Sequence, residues 1–169
     1  VICAILLTSG KITIKNIPDI SDVNKLIELI GCMGVKVTKE SDSVTSFEAV
    51  DVNLDYLQTS EFRTQSSSLR GSIMIVGPLL ARFGKAFIPK PGGDKIGRRR
   101  VDTHFIGFQK LGARFEFDTS DPFFKVEAPS LTGTYMHLDE ASVTGTANII
   151  MAAVLAKGRT TIYNAACAQ

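Results

Sequence analysis

The feature that most constrains this chain is an internal repeat. Glycines at positions 10, 84 and 158 are spaced by 74 residues twice over, and each follows an apolar run and precedes a basic residue and a short alternating stretch. The first copy reads Ile5, Leu6, Leu7, Gly10, Lys11, Ile12, Ile14; the second Leu79, Leu80, Gly84, Lys85, Ala86, Ile88; the third Val154, Leu155, Gly158, Arg159, Ile162. A fixed period of this length implies one supersecondary unit used several times, each too small to bury its apolar face alone. Each glycine is expected to end a helix in the left-handed conformation that Gly adopts without steric penalty. The alternation beyond it predicts a strand.

A second helix is expected after each of the first two strands. One runs from Asp22 to Ile30 with Val23, Leu26, Ile27 and Ile30 on one face; the other starts at Asp102 with Phe105, Phe108 and Leu111 as its apolar stripe. Acids at both starts suit the helix dipole, and Asp102 serves equally well as a plain N-cap. Gly34 and Gly112 then end these helices, and strands follow over 35–37 and 113–117, then over 44–49 and 123–128. The unit is helix, strand, helix, strand, strand, over residues 1–50, 66–128 and, incompletely, 141–169. Such units bury their helices against a curved sheet, an α/β (α+β) fold class. The unfinished third unit, and an apolar run at 1–7 with no N-cap before it, read as one domain incomplete at both ends.

With 169 residues, 44% hydrophobic and 21% charged, the chain can bury the core of an ordinary globular domain. A net charge of +2 gives no whole-molecule attraction to nucleic acid or membrane. The apolar run at 1–7 is far too short to span a bilayer. Cys3, Cys32 and Cys167 are odd in number and far apart, and the only histidines are His104 and His137. No zinc site, disulfide framework or cofactor is therefore expected, and all three thiols read as buried in a reducing cytosol. His104 is expected to orient its neighbours at a helix start, and His137 to sit on a surface strand.

Residues 90–102 carry the chemistry. Lys90, Lys95, Arg98, Arg99 and Arg100 surround Asp94, the one acid before Asp102 opens the next helix, in a stretch that also holds Pro91, Gly92, Gly93 and Gly97. Proline and three glycines exclude a regular helix or central strand. A cationic loop with one carboxylate can bind an anion and move a proton beside it. On charge alone it reads as a solvated surface loop. A nucleic-acid module using Arg98, Arg99 and Arg100 is the other reading, against which stands the lack of interleaved aromatics.

In combination, several stretches resemble the UDP-N-acetylglucosamine enolpyruvyl transferases: Leu69 to Ile73, Gly77 to Gly84, Pro91 to Gly97, Arg99 to His104, Gln109 to Ala113, and Ala141 to Thr146. The resemblance covers essentially the whole chain, in order and at consistent spacing. It implies an inside-out α/β barrel, three of the repeats above around buried helices, in an enzyme of two such domains of which this chain holds one. It also implies the reaction: the enolpyruvyl group of phosphoenolpyruvate moves to the 3-hydroxyl of UDP-N-acetylglucosamine with release of phosphate. This is the committed step of peptidoglycan synthesis, in the cytoplasm. The partners implied are those two substrates and the second domain of the same enzyme, without which the chain is expected to be inactive or nearly so. The shikimate-pathway relative shares the fold but not the Pro91, Gly92, Gly93 loop, and stands as the alternative.

Residue by residue, the resemblance makes Asp94 the general acid that protonates the methylene carbon of phosphoenolpyruvate, at a position where many relatives carry Cys. Asp in place of the thiol implies insensitivity to fosfomycin, which alkylates that Cys. Five cations lower a carboxyl pKa, so the role requires loop closure over anionic, dehydrated substrates to raise it. Arg99 matches the arginine that grips phosphoenolpyruvate, and Arg70 a further substrate arginine. Arg100, Val101, Asp102 and Thr103 match the nucleotide-sugar segment. Ala141, Ser142 and Val143 match a helix start whose free N–H groups and hydroxyl cradle a diphosphate. Glu140 and Thr144 depart from that pattern, standing where Lys and Gly are usual. No metal ligands are implied.

Overall fold

In the computed structural model, the structure describes residues 1–88, 102–117 and 124–167. Val1–Ile73 forms one compact unit, and Met74–Ile88 with the described part of Asp94–Gln169 forms a second.

The first unit opens with a 3-10 helix at Ile2–Leu7, followed by β1 (Ile12–Lys15), α1 (Ser21–Cys32), β2 (Lys36–Ser41) and β3 (Val44–Glu48). After a 3-10 turn at Asp55–Gln58 comes α2 (Ser60–Ser67). The three strands form an antiparallel sheet in the order β1-β3-β2, with Ile12 opposite Phe47. The central strand β3 buries Thr45, Ser46 and Phe47, while β2 is exposed along its length. On α1 the deepest residues are Leu29 and Ile30; Val23, Leu26 and Ile27 are half-buried. The expected face is thus rotated toward its C-terminal end. Gly34 follows at φ 95°, and a Cβ there would stand 2.5 Å from the Asp51 carbonyl oxygen, so only glycine fits this approach. Thr59 caps α2 by accepting the Phe62 N–H at 3.1 Å.

The second unit contains α3 (Val76–Phe83), β4 (Lys85–Ile88), α4 (Asp102–Lys110), β5 (Arg114–Phe117), β6 (Phe124–Glu127), β7 (Tyr135–His137), α5 (Val143–Ala153) and β8 (Thr161–Tyr163). Its antiparallel sheet has the order β4-β6-β5, with Ala86 opposite Val126. Ile12 and Ala86, which are 74 residues apart, therefore occupy the same ladder position in two sheets of the same strand order. Strands β7 and β8 pair in parallel, which requires a crossover, and α5 is that crossover. His137 is exposed on β7.

Gly84 ends α3 at φ 69°, the left-handed cap the repeat predicts. Gly158 is also left-handed at φ 90°, but α5 has already ended at Ala153, so it lies in the turn before β8 rather than at a helix end. Gly10 does not share the left-handed conformation. The helix before it is a 3-10 helix that already ends at Thr8 in extended backbone (φ −137°, ψ 154°), and the Thr8 hydroxyl accepts the Gly10 N–H at 3.1 Å. The chain has turned before it reaches the glycine. The thiols also differ from expectation: Cys3 is buried, but Cys32 and Cys167 are exposed, because Cys32 lies at the end of α1 and Cys167 beyond the last strand.

Helix α5 is the centre of the second unit and lies against both α3 and α4. Two glycines make the approach possible. A Cβ on Gly77 of α3 would fall on the Asn148 carbonyl oxygen, and one on Gly107 of α4 would fall on the Ile149 side chain. Interiors packed this densely have no room for an added methyl.

Candidate functional site

The described part of the candidate site forms where the first turn of α4 meets the entry to α5. Asp102 is the first helical residue of α4, inside the first turn rather than before it; an acid there still complements the helix dipole. Thr103, 1% exposed, donates its hydroxyl to Glu140 Oε1 at 3.0 Å, and Asp139 Oδ1 lies at 3.5 Å. Two stretches nearly forty positions apart in sequence are thereby held side by side.

On the other side of this contact, Ser142 is the N-cap of α5. Its hydroxyl oxygen accepts the Gly145 N–H at 3.1 Å and its carbonyl accepts the Thr146 N–H at 2.8 Å. The expected cradle is therefore partly used by the helix itself. Among the described residues no hydrogen bond takes the N–H of Val143 or Thr144, so these two amides and the Ser142 hydroxyl proton remain to meet an anion. They sit at the positive end of an 11-residue helix, which favours negative charge. Gly145 is required here, since a Cβ would stand 2.9 Å from Thr103 Cγ2 and 3.0 Å from Ser142 Oγ. Ala141 and Val143 are exposed and Ser142 half-buried.

Beneath this surface lies a polar link that the sequence reading did not find. Asn148 accepts the Gly77 N–H on Oδ1 at 2.9 Å, and its Nδ2 lies 3.0 Å from His104 Nδ1. One side chain of α5 thus joins α3 to α4 within the core. The available signal was a lone amide in the apolar run that continues through Ile149 and Ile150, since a buried polar residue requires partners.

Arg70, half-buried, begins the 3-10 helix at Arg70–Ile75 that follows α2 in the first unit. Asp94, Arg99, Arg100 and Val101 lie outside the described residues. A cleft of about 460 Å³ at the C-terminal end of α3, lined by Arg82, Gly84, Lys85, Glu127, Ser130 and Lys157 among others, contains none of the candidate residues. The shared entry of α4 and α5 brings two backbone N–H groups and a hydroxyl together, with the carboxylates of Asp139 and Glu140 beside them on Thr103.

The chain matches the EPSP synthase (3-phosphoshikimate 1-carboxyvinyltransferase) family over residues 1–169. It is 62% identical over 167 residues to the UDP-N-acetylglucosamine 1-carboxyvinyltransferase of Bacteroides thetaiotaomicron, covering 99% of this chain and 38% of that protein. The protein of the same name from Porphyromonas gingivalis is 57% identical over the same shares. The chain thus spans about two fifths of the length of these curated relatives. Among solved structures, the enolpyruvyl transferase NikO from Streptomyces tendae superposes with a TM-score of 0.75 at 17% identity, covering 95% of this chain and 37% of that one. The fold is that of the enolpyruvyl transferases, and the chain belongs to the EPSP synthase family.

Proposed function

We propose that the protein transfers the enolpyruvyl group of phosphoenolpyruvate to the 3-hydroxyl of UDP-N-acetylglucosamine, with Asp94 as proton donor. The observation that carries this reading is the 62% identity, across 99% of the chain, to a protein named for that acceptor. The entry shared by α4 and α5 supports it: Val143, Thr144 and Ser142 offer donors to a diphosphate, and Asp102 and Thr103 stand beside them. Asp102 suits a sugar or ribose hydroxyl, since a carboxylate accepts such a bond strongly.

Within this reading, Arg99 and Arg70 bind substrate anions through planar guanidinium groups that match phosphate and carboxylate geometry. Asp94 delivers its proton to the methylene carbon once the loop closes and water leaves. Carrying a carboxyl where many members of the family carry a thiol, the protein resists fosfomycin. Turnover takes place in the cytoplasm and needs the substrates' second wall, which the portion of the relatives beyond this chain supplies.

The test is phosphate release from phosphoenolpyruvate by the intact protein with each of two acceptors. Turnover is expected with UDP-N-acetylglucosamine and not with shikimate 3-phosphate. Turnover with shikimate 3-phosphate alone would assign the protein to the other acceptor class.

A further inference from the structure

We propose that Asn148 is a positioning residue that fixes His104 as the neutral imidazole with its proton on Nε2, and through His104 sets the first turn of α4. A backbone N–H can only donate, so the atom of Asn148 that faces the Gly77 N–H at 2.9 Å must be the carbonyl oxygen. The amide of Asn148 therefore has one possible orientation, and its NH₂ group faces His104 Nδ1 at 3.0 Å. An NH₂ group can only donate in turn. Nδ1 must accept, which excludes both the imidazolium and the tautomer protonated at Nδ1.

Nothing in this chain of bonds can adjust. Asn148 is 0% exposed and His104 3% exposed, so water cannot replace either partner. The approach of α3 is also fixed, because a Cβ at Gly77 would stand 2.5 Å from Asn148 Oδ1 and closer still to its carbonyl oxygen. Leaving a buried donor unpaired would cost more than the bond itself contributes. Asn148 thus acts as a rigid fork between α3 and α4. The second tie on the same turn is Thr103 with Glu140, so two successive residues of α4 are held by the segment 140–148.

The tautomer assignment is independent of the proposed function; only its consequence for substrate rests on that reading. Because Asp102 and Thr103 lie on the turn that His104 anchors, loss of the fork is expected to weaken nucleotide-sugar binding and to leave the chemical step unchanged.

The test uses the intact protein with ¹⁵N-labelled histidine. The signals absent from His104→Gln identify the ring on α4, and those absent from His137→Asn the ring on β7. Two-bond ¹H–¹⁵N correlations near neutral pH should show His104 Nε2 protonated and Nδ1 bare. A wild-type spectrum with the proton on Nδ1, or on both nitrogens, overturns the proposal without any variant. Asn148→Asp places an acceptor oxygen against Nδ1, and the proton should move there; a folded variant with an unchanged tautomer also overturns it. In that variant the KM for UDP-N-acetylglucosamine should rise about tenfold with kcat within about twofold, the pattern of lost binding rather than lost chemistry. An unchanged KM beside a changed tautomer overturns the positioning of the α4 turn. Absence of wild-type turnover with this acceptor would sink the functional reading and leave the tautomer result standing.

Discussion

The Thr103 hydroxyl lies 3.0 Å from Glu140 Oε1, and this bond closes the start of α4 onto the segment that leads into α5. Replacing Thr103 by Val keeps the shape and removes the donor to a carboxylate. The expected loss of stability is about 1.5–3 kcal/mol, the range for hydrogen bonds to charged groups. Urea denaturation checks it: the midpoint should fall with the slope unchanged. An unmoved midpoint would show that the contact contributes nothing.

Gly107 and Ile149 make the corresponding apolar contact between α4 and α5. A methyl added at Gly107 would fall on the Ile149 side chain, so Gly107→Ala should destabilise by about 1–3 kcal/mol through overpacking. Ile149→Ala leaves a cavity and should cost about 2–5 kcal/mol alone. Combined, the two should cost clearly less than their sum, because the new methyl fills part of the space. Strict additivity in denaturation experiments would contradict the packing described.

The observed role of Ser142, capping α5, can be separated from the proposed one, binding substrate. As N-cap of α5 it should be worth about 1 kcal/mol, lost in Ser142→Ala. Ser142→Asp preserves the cap but places a negative charge beside Val143 and Thr144. It should therefore retain the melting temperature and lose affinity for UDP-N-acetylglucosamine, measured by calorimetry on the intact protein. Unimpaired binding by the Asp variant would remove the diphosphate from this helix start.

Burial pushes the Cys3 thiol up to about 12 from its ordinary value of 9.0. The thiolate is favoured in the unfolded chain, so this stabilisation is complete below pH 9 and declines as pH rises toward 12. Within that window the decline should approach about 1.4 kcal/mol per pH unit. Comparing alkaline denaturation of wild type with Cys3→Ala isolates the slope. In the folded state, thiol reagents should reach the exposed Cys32 and Cys167 and reach Cys3 only on unfolding.

Which of these features the sequence revealed follows from how local each one is. Strands β1, β4 and β8 follow their glycines as the repeat predicts, because apolar alternation and a left-handed glycine are both short-range signals. A helix start at Ala141–Val143 was expected, but with the Ser142 hydroxyl toward a ligand; in the structure that oxygen accepts the Gly145 N–H and caps the helix. Gly10 matches Gly84 in sequence but is not left-handed, because the chain has already left the 3-10 helix in extended backbone at Thr8. The exposure of Cys32 and Cys167 depends on where α1 and β8 end, which periodicity cannot resolve. The link from Gly77 through Asn148 to His104 joins positions 71 and 44 residues apart; such a contact exists only once three helices have met. At the candidate site, the resemblance already named Thr103 and Ser142, but the bond from Thr103 to Glu140 that brings their segments together exists only once α4 has met α5.

The proton donor is the centre of the functional account, and Asp94→Ala in the intact protein tests it most directly. Phosphate release from phosphoenolpyruvate with UDP-N-acetylglucosamine should fall by about 10²–10⁴-fold, the contribution of a positioned general acid. Affinity for UDP-N-acetylglucosamine should remain within about twofold, because the proposal gives binding and proton transfer to different groups. An Ala variant that releases phosphate at the wild-type rate would contradict the account.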